Sequence, residues 1–185
     1  MLQGISHYLC YLLRHNPERA ALTMDRHGWV PVAQLIENVS RTSKYTLTME
    51  LLEQIVAEDG KGRYRFNEDH SRIKCCQGHS LPWVEVELTY TAPPPCLYHG
   101  THQEAADAID ASGAIEKRNR HHVHLQADEA KAWQSARRWH KVPVVLEVDA
   151  AAMARDGYRF GRTDNDVWCT DVVPVRYICR RICAP

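Results

Sequence analysis

A proline-rich segment, TAPPP at residues 91–95, constrains the fold of this 185-residue chain more than any other feature. Proline has no backbone N–H to donate and its φ is fixed, so a helix or a central strand cannot continue through such a run. The run is stiff and extended instead. Because a chain of this length can form one ordinary domain or two small ones, we predict two units, residues 1–90 and 96–185, with a linker at 91–95.

The first unit combines helical patterns with a β-hairpin pattern. Leu9, Leu12 and Leu13 are spaced for one face of a helix, and Thr48 is suited to cap another. The predicted elements are helices over 6–15, 29–39 and 49–59 and strands over 62–66 and 71–76. This is the order of a winged-helix module, which often contacts nucleic acid but is equally a generic scaffold.

The second unit alternates strands with helices. WVEVEL (83–88), just before the linker, alternates apolar and polar residues and is predicted to be a strand. Beyond the linker, the predicted elements are helices over 102–112 and 128–140 and strands at 96–100, 121–125, 143–149 and within YRFG, VWCT and VVPVRYICR. Two helices and five or six strands make an α+β unit, so the fold class is α+β.

The charges of the chain balance, with 23 Lys and Arg residues against 23 Asp and Glu residues. A phosphate or nucleic-acid site must therefore be a local cluster of cations rather than a global field. No apolar run approaches the roughly 18 residues that span a bilayer. The start of the chain, MLQGISHYLCYLL, lacks the basic region of a signal peptide. We expect a cytoplasmic protein with no membrane partner and no obligate protein partner.

The seven cysteines include no CxxC pair, and their number is odd. Such thiols among apolar neighbours are typical of reduced, packed cysteines. Cys75-Cys76 and the pair Cys179 and Cys183 could contact a metal ion, but no other spaced ligands accompany them. We expect no metal.

The segment RNRHHVHL (118–125) is the densest group of nitrogen donors in the chain. On a strand, Arg120, His122 and His124 would share one face, and that face suits a phosphate or a ribose. His122 and His124 could instead begin a zinc site, although Arg120 would repel the ion. An exposed structural strand is the third interpretation.

Three further segments are weaker signals when each is taken alone. In LYHGT (97–101), Gly100 would let the backbone pass close to a ligand while His99 and Thr101 bond its hydroxyls. In LRH, the ordinary explanation of Arg14 and His15 is that two cations in the last turn of a helix interact favourably with its dipole. In GRYRF, alternation places Arg63 and Arg65 on one face, where they could equally be a solvated strand edge.

Taken together, these segments resemble the RNA 2′-phosphotransferases of the KptA type. The blocks that carry the resemblance occur in the family's order over nearly the whole chain: YLLRHNPE, HGWVPVAQLI, RYRFNEDHSRIKCCQGHS, LYHGT, RHHVHL, PVVLEVDAAAM and NDVWCTDVVPVRYI. The resemblance implies an N-terminal winged-helix lobe and a C-terminal NAD-binding lobe like that of ADP-ribosyltransferases, built on a small β-sheet core. It also implies an RNA substrate with an internal 2′-phosphate, as at a tRNA splice junction, and NAD as a co-substrate.

The resemblance also implies roles for individual residues. The family's catalytic Arg-His-Arg-Arg set falls on Arg14, His15, Arg65 and Arg120. The cofactor-binding residues are expected to be His99, Gly100, Thr101, His122 and His124. The reaction passes through 2′-phospho-ADP-ribosylated RNA and releases nicotinamide and ADP-ribose 1″,2″-cyclic phosphate. Arginines would stabilise charge on the phosphoryl oxygens, so the scheme needs no metal.

The chain departs from the family pattern at two places. Gln126 replaces a small hydroxyl residue after HVHL, and WQSARRWHKVP replaces a glycine-bearing helix end. Two alternatives remain at this point. One is an ADP-ribosyltransferase that modifies nucleic-acid ends or protein, although Val167 stands near the place of its usual glutamate. The other is a non-catalytic RNA- or NAD-binding module.

Overall fold

The computed structural model describes residues 2–184. The chain separates into two compact units, with the division between Glu87 and Leu88. Within the described residues it is a mixed α/β protein with six α-helices, two short 3-10 helices and twelve short strands. None of these helices is long and apolar enough to cross a membrane.

The first unit contains three helices and a small sheet. Its elements are α1 (Leu2–His15), a 3-10 helix (Pro17–Ala20), β1 (Val30–Pro31), α2 (Val32–Thr42), α3 (Met49–Ala57), β2 (Tyr64–Phe66) and β3 (Arg72–Cys75). The predicted helices and hairpin strands are all present, with somewhat different ends. Thr48 caps α3 as predicted, because its side chain accepts a hydrogen bond from the amide of Leu51.

The sheet of the first unit is antiparallel, in the order β1-β3-β2. In its hairpin, Tyr64 faces Cys75 across the ladder and Arg65 faces Lys74. Tyr64 and Cys75 are buried in the core with the leucines of α1, whereas Arg65 is exposed. Burial of each large apolar side chain stabilises the unit by about 1.5–3 kcal/mol. The alternation along β2 therefore separates a core face from a charged face.

The prediction of a strand over residues 83–88 is wrong. Regular pairing begins only at Thr89. The alternation of burial is nevertheless present, since Val84 is buried while Glu85 and Glu87 are exposed. Alternation describes an extended segment with one buried side, but it does not supply a neighbouring strand. Here an ion pair from Lys74 to Glu87 holds the segment instead.

The second unit contains three α-helices, one short 3-10 helix and nine strands within the described residues. Its elements are β4 (Thr89–Tyr90), β5 (Cys96–His102), α4 (Gln103–Ser112), β6 (Ala114–Glu116), β7 (Val123–Leu125), α5 (Glu129–Arg137), β8 (Pro143–Asp149), α6 (Ala150–Arg155), β9 (Gly161–Arg162), β10 (Trp168–Thr170), β11 (Val172–Pro174), a 3-10 helix (Val175–Tyr177) and β12 (Ile178–Cys183).

Three antiparallel sheets organise the second unit. β8 lies between β5 and β12, and a four-stranded sheet runs in the order β4-β9-β10-β7. β11 pairs with β6. The buried side chains of β5, β7 and β8, such as Leu97, Leu125 and Leu146, form one core together with Met153 of α6. The strands that carry the predicted cofactor residues therefore lie on this core.

The predicted count of two helices and five or six strands for this unit is wrong. α6 was missed because its six residues are too few to show a helical period, although Asp149 caps it by accepting from the amide of Ala152. VVPVRYICR is two strands rather than one, because a 3-10 helix over Val175–Tyr177 interrupts it after Pro174.

The predicted strand over 121–125 is shorter than expected, and this changes the geometry of RNRHHVHL. β7 starts at Val123, because β10 offers partners only for Val123 to Leu125. Arg120, His121 and His122 lie in the bend before the strand. The expectation that Arg120, His122 and His124 share one face of a strand is therefore wrong, since only His124 is on it.

Candidate functional site

Each unit carries its own group of predicted site residues. The first unit contributes Arg14 and His15 from the last turn of α1 and Arg65 from β2. The second unit contributes His99, Gly100 and Thr101 from β5, His124 from β7, and Arg120 and His122 from the bend before β7.

Arg14 is the most unusual cation of the first unit. Its Nε and Nη2 atoms are buried, and neither has a hydrogen-bond partner among the described residues. A buried donor without a partner costs about 1–3 kcal/mol, so native structures rarely keep one. An arginine in this state would gain hydrogen bonds from an anion that reached it, and guanidinium groups bind phosphate oxygens in pairs.

The segment Gly78–Ser80 packs against Arg14 and His15. The amide of Ser80 donates to the carbonyl of Arg14 at 3.0 Å, and the Ser80 hydroxyl lies 2.8 Å from Nδ1 of His15. Gly78 adopts φ +83°, a conformation that side chains disfavour, and a Cβ there would lie 3.5 Å from Cζ of Arg14. This glycine therefore lets the chain turn back onto the end of α1.

Gly78 and Ser80 lie next to the predicted site residues Arg14 and His15, and the sequence alone did not single them out. Both belong to the block RYRFNEDHSRIKCCQGHS, but a Gly-His-Ser after a strand is by itself an ordinary turn sequence. The Ser80 hydroxyl can orient the imidazole of His15, which could have identified the serine. The two residues are 65 positions apart in the chain, so the sequence does not show that they meet.

In the second unit, a backbone bridge brings His99 next to His124. Tyr98 and Gln126 exchange two backbone hydrogen bonds of 2.8 Å each, which ties β5 to the end of β7. Nδ1 of His99 lies 3.1 Å from the carbonyl oxygen of His124. A carbonyl only accepts, so Nδ1 carries the proton and Nε2 of the neutral ring is a hydrogen-bond acceptor. Burial lowers the pKa of His99, which favours that neutral ring.

Packing within the second unit explains the other two residues of HGT, Gly100 and Thr101. A Cβ at Gly100 would stand 2.0 Å from the carbonyl oxygen of Ala132, so the glycine is required for α5 to pack against β5. Thr101 is only 6% exposed, which leaves little of its side chain for a ligand. Of these three residues, His99 is therefore the one best placed to bind a ligand.

The bend before β7 holds Arg120 and His122. The amide of Arg120 donates to the carbonyl of Lys117 at 2.9 Å, and the Arg120 side chain is exposed. His122 is partly buried, and desolvation lowers its pKa although Asp171 acts in the opposite direction. The ring centroids of His121 and His122 are 6.5 Å apart.

A pocket of about 270 Å³ lies beyond the end of β7. Its lining residues are Gln126, Ala127, Asp128, Lys131, Arg162, Asp166 and Trp168. It includes the departure from the family pattern at Gln126 but none of the five predicted cofactor residues. Across residues 2–184, no three or more His, Cys, Asp or Glu side chains are placed to hold a metal ion.

Comparison with known proteins identifies the family. The family model described as RNA 2′-phosphotransferase, Tpt1 / KptA family, matches residues 2–172. A relative from Fusobacterium nucleatum is 40% identical over 94% of this chain and 96% of its own length. Relatives from Flavobacterium johnsoniae and Burkholderia pseudomallei are also 40% identical, over 95% and 94% of this chain and 94% and 92% of their own lengths.

All three relatives are named probable RNA 2′-phosphotransferases. The resemblance stated from the sequence blocks is thus confirmed over nearly the whole chain. This chain belongs to the RNA 2′-phosphotransferase family.

Proposed function

We propose that this transferase is NAD-dependent and removes an internal 2′-phosphate from RNA of the tRNA splice-junction type. The single observation that carries the proposal is the buried Arg14 guanidinium, whose Nε and Nη2 have no partner among the described residues, next to His15 at the end of α1. A phosphate supplies acceptor oxygens for these two donors.

The proposed catalytic set is Arg14, His15, Arg65 and Arg120. In the first step a 2′-phosphate oxygen attacks the ribose carbon that bears nicotinamide, and nicotinamide leaves with the bonding electrons. In the second step the neighbouring 2″-hydroxyl attacks phosphorus and loses its proton, and the RNA 2′-oxygen leaves and takes up a proton. The products are RNA with a free 2′-hydroxyl and ADP-ribose 1″,2″-cyclic phosphate.

Each residue of the set has a physical task. The three arginines stabilise the negative charge that develops on the phosphoryl oxygens in the second step. His15 is suited to give a proton to the leaving 2′-oxygen, because imidazole is the side chain that most often transfers protons in enzymes. The arginines supply the positive charge, so the scheme itself calls for no metal.

The co-substrate NAD is assigned to the second unit, at His99, Gly100, Thr101, His122 and His124. The contact that supports this assignment is the hydrogen bond from His99 to the carbonyl of His124, because it leaves Nε2 of the neutral ring as an acceptor for a ribose hydroxyl. We further propose the winged-helix and ADP-ribosyltransferase-like folds for the two units, the linker at 91–95 and a cytoplasmic location.

A product assay tests the function. The full chain is incubated with NAD and a short RNA that carries one internal 2′-phosphate, and both RNA and nucleotide products are identified. Loss of the phosphate with release of the cyclic phosphate is the expected result. A stable ADP-ribosylated RNA or protein would instead make the chain an ADP-ribosyltransferase, and binding without any product would make it a binding module.

A further inference from the structure

The turn between β2 and β3 holds His70 in an unusual position. Its φ is +56°, in the left-handed region that most side chains avoid. Its ring stacks on Phe66 with centroids 4.5 Å apart and planes 12° from parallel. Its Nδ1 lies 3.2 Å from a carboxylate oxygen of Glu53. Two side-chain contacts thus fix the orientation of an imidazole at the tip of an exposed hairpin.

Half of the His70 side chain is exposed to solvent, although Phe66 covers one face of its ring. We infer that the exposed part includes the opposite face. An aromatic ring that is fixed in place and open on one side offers stacking area at little cost in conformational entropy.

The ring borders a shallow pocket that lies entirely within the first unit. The volume of this pocket is about 480 Å³, within the range of small-molecule sites, roughly 300–1,000 Å³. Its lining residues are Glu53, Val56, Ala57, Tyr64, Arg65, Phe66 and His70. The lining therefore combines an aliphatic wall, aromatic rings, one carboxylate and one arginine.

This combination matches one class of ligand. A nucleobase is a planar ring that stacks on aromatic side chains, its amino groups donate to carboxylates, and it is joined to a phosphate that an arginine binds. We propose that this pocket binds the base of the RNA nucleotide next to the 2′-phosphate, stacked on His70 with Glu53 at its polar edge. The inference rests on the proposed function, because it uses Arg65 as the phosphate contact from which the base is placed.

The test measures RNA affinity in the absence of NAD, so that no turnover occurs. Fluorescence anisotropy compares two labelled RNAs that carry the same 2′-phosphate. One RNA is intact, and the other lacks the bases of both nucleotides that flank the phosphate. Stacking of one base contributes enough that its removal should weaken binding roughly 5- to 150-fold. Equal affinity of the full chain for both RNAs would overturn the proposal.

A variant assigns the effect to the pocket. His70→Asn removes the ring and keeps a residue that tolerates a positive φ. We expect it to bind intact RNA as weakly as the original chain binds abasic RNA, with no further loss on abasic RNA. His7→Asn, at an exposed position of α1, is the matched control and should change neither affinity. A His70→Asn variant that still distinguishes the two RNAs, or that weakens NAD binding instead, would overturn the proposal.

The same RNAs distinguish this proposal from the proposed function. If NAD causes no loss of the phosphate but the base dependence of binding disappears in His70→Asn, the function fails and the base site stands. If the phosphate is removed from intact and abasic RNA with the same KM, the base site fails and the function stands.

Discussion

The hydroxyl oxygen of Ser80 lies 2.8 Å from Nδ1 of His15, and the amide of the same serine donates to the carbonyl of Arg14. One residue thus holds both members of the Arg-His pair at the end of α1. A hydrogen bond at Nδ1 fixes the plane of the imidazole and biases which ring nitrogen carries the proton. Ser80 is therefore a positioning residue for the proposed acid, His15.

Ser80→Ala should slow the reaction without unfolding the chain. Loss of one hydrogen bond of about 1–1.5 kcal/mol predicts a roughly 10-fold lower kcat with little change in the KM for RNA. Ser80→Thr keeps the hydroxyl and should restore kcat. Initial rates of phosphate loss measure this, and an unchanged kcat in Ser80→Ala would remove the serine from the mechanism.

Arg14→Met should separate stability from activity. Methionine fills the space of the arginine stem, and the substitution removes the two buried donors that lack a partner. Removal of these costly donors is offset by loss of the attraction between the guanidinium and the thiols of Cys10 and Cys75, so the free energy of unfolding should stay about the same. Phosphate removal should fall roughly 100-fold or more. Urea denaturation and the product assay measure the two effects, and a clear loss of stability with normal activity would contradict the prediction.

Gly100→Ala should destabilise the second unit. The added Cβ would stand 2.0 Å from the carbonyl oxygen of Ala132, so α5 must move away from β5. We expect a loss of about 3 kcal/mol or more in the free energy of unfolding. Gly60→Ala is the control, because that glycine has a negative or extended φ and no atom within 4 Å of its added Cβ. Similar denaturation midpoints for the two variants would show that α5 can move away from β5 at little cost in stability.

The sequence predicted the elements whose signals are local. The helix ending at His15, the Thr48 cap and the hairpin around residue 70 follow from spacing, capping chemistry and turn residues that lie within a few positions. The strand over 83–88 failed for the opposite reason. A strand needs a neighbouring strand to pair with, and the alternating pattern of WVEVEL does not show whether one is present.

The site residues likewise include some that sequence motifs predicted and one that only the fold reveals. The resemblance supplied Arg14, His15, Arg65 and Arg120, but it could not supply Ser80, which meets His15 only through folding. Likewise, the glycine in HGT suggested a close approach to a ligand, whereas the close neighbour in the structure is the backbone of α5. Spacing along the chain cannot distinguish these two reasons for a glycine.

The pH dependence of stability should report on His99. Burial lowers its pKa below the ordinary value of 6.5, so as the pH falls through that value the unfolded chain binds a proton that the folded chain resists. Stability should therefore be unaffected by His99 above about pH 7 and should decrease progressively below pH 6.5. His99→Asn removes this contribution, so its free energy of unfolding should fall less steeply between about pH 6.5 and 5 than that of the original chain. His7→Asn provides the matched control for loss of an exposed histidine. Denaturant titrations at a series of pH values measure the slopes, and identical slopes for the original chain and His99→Asn would show that this imidazole protonates as readily in the fold as in water.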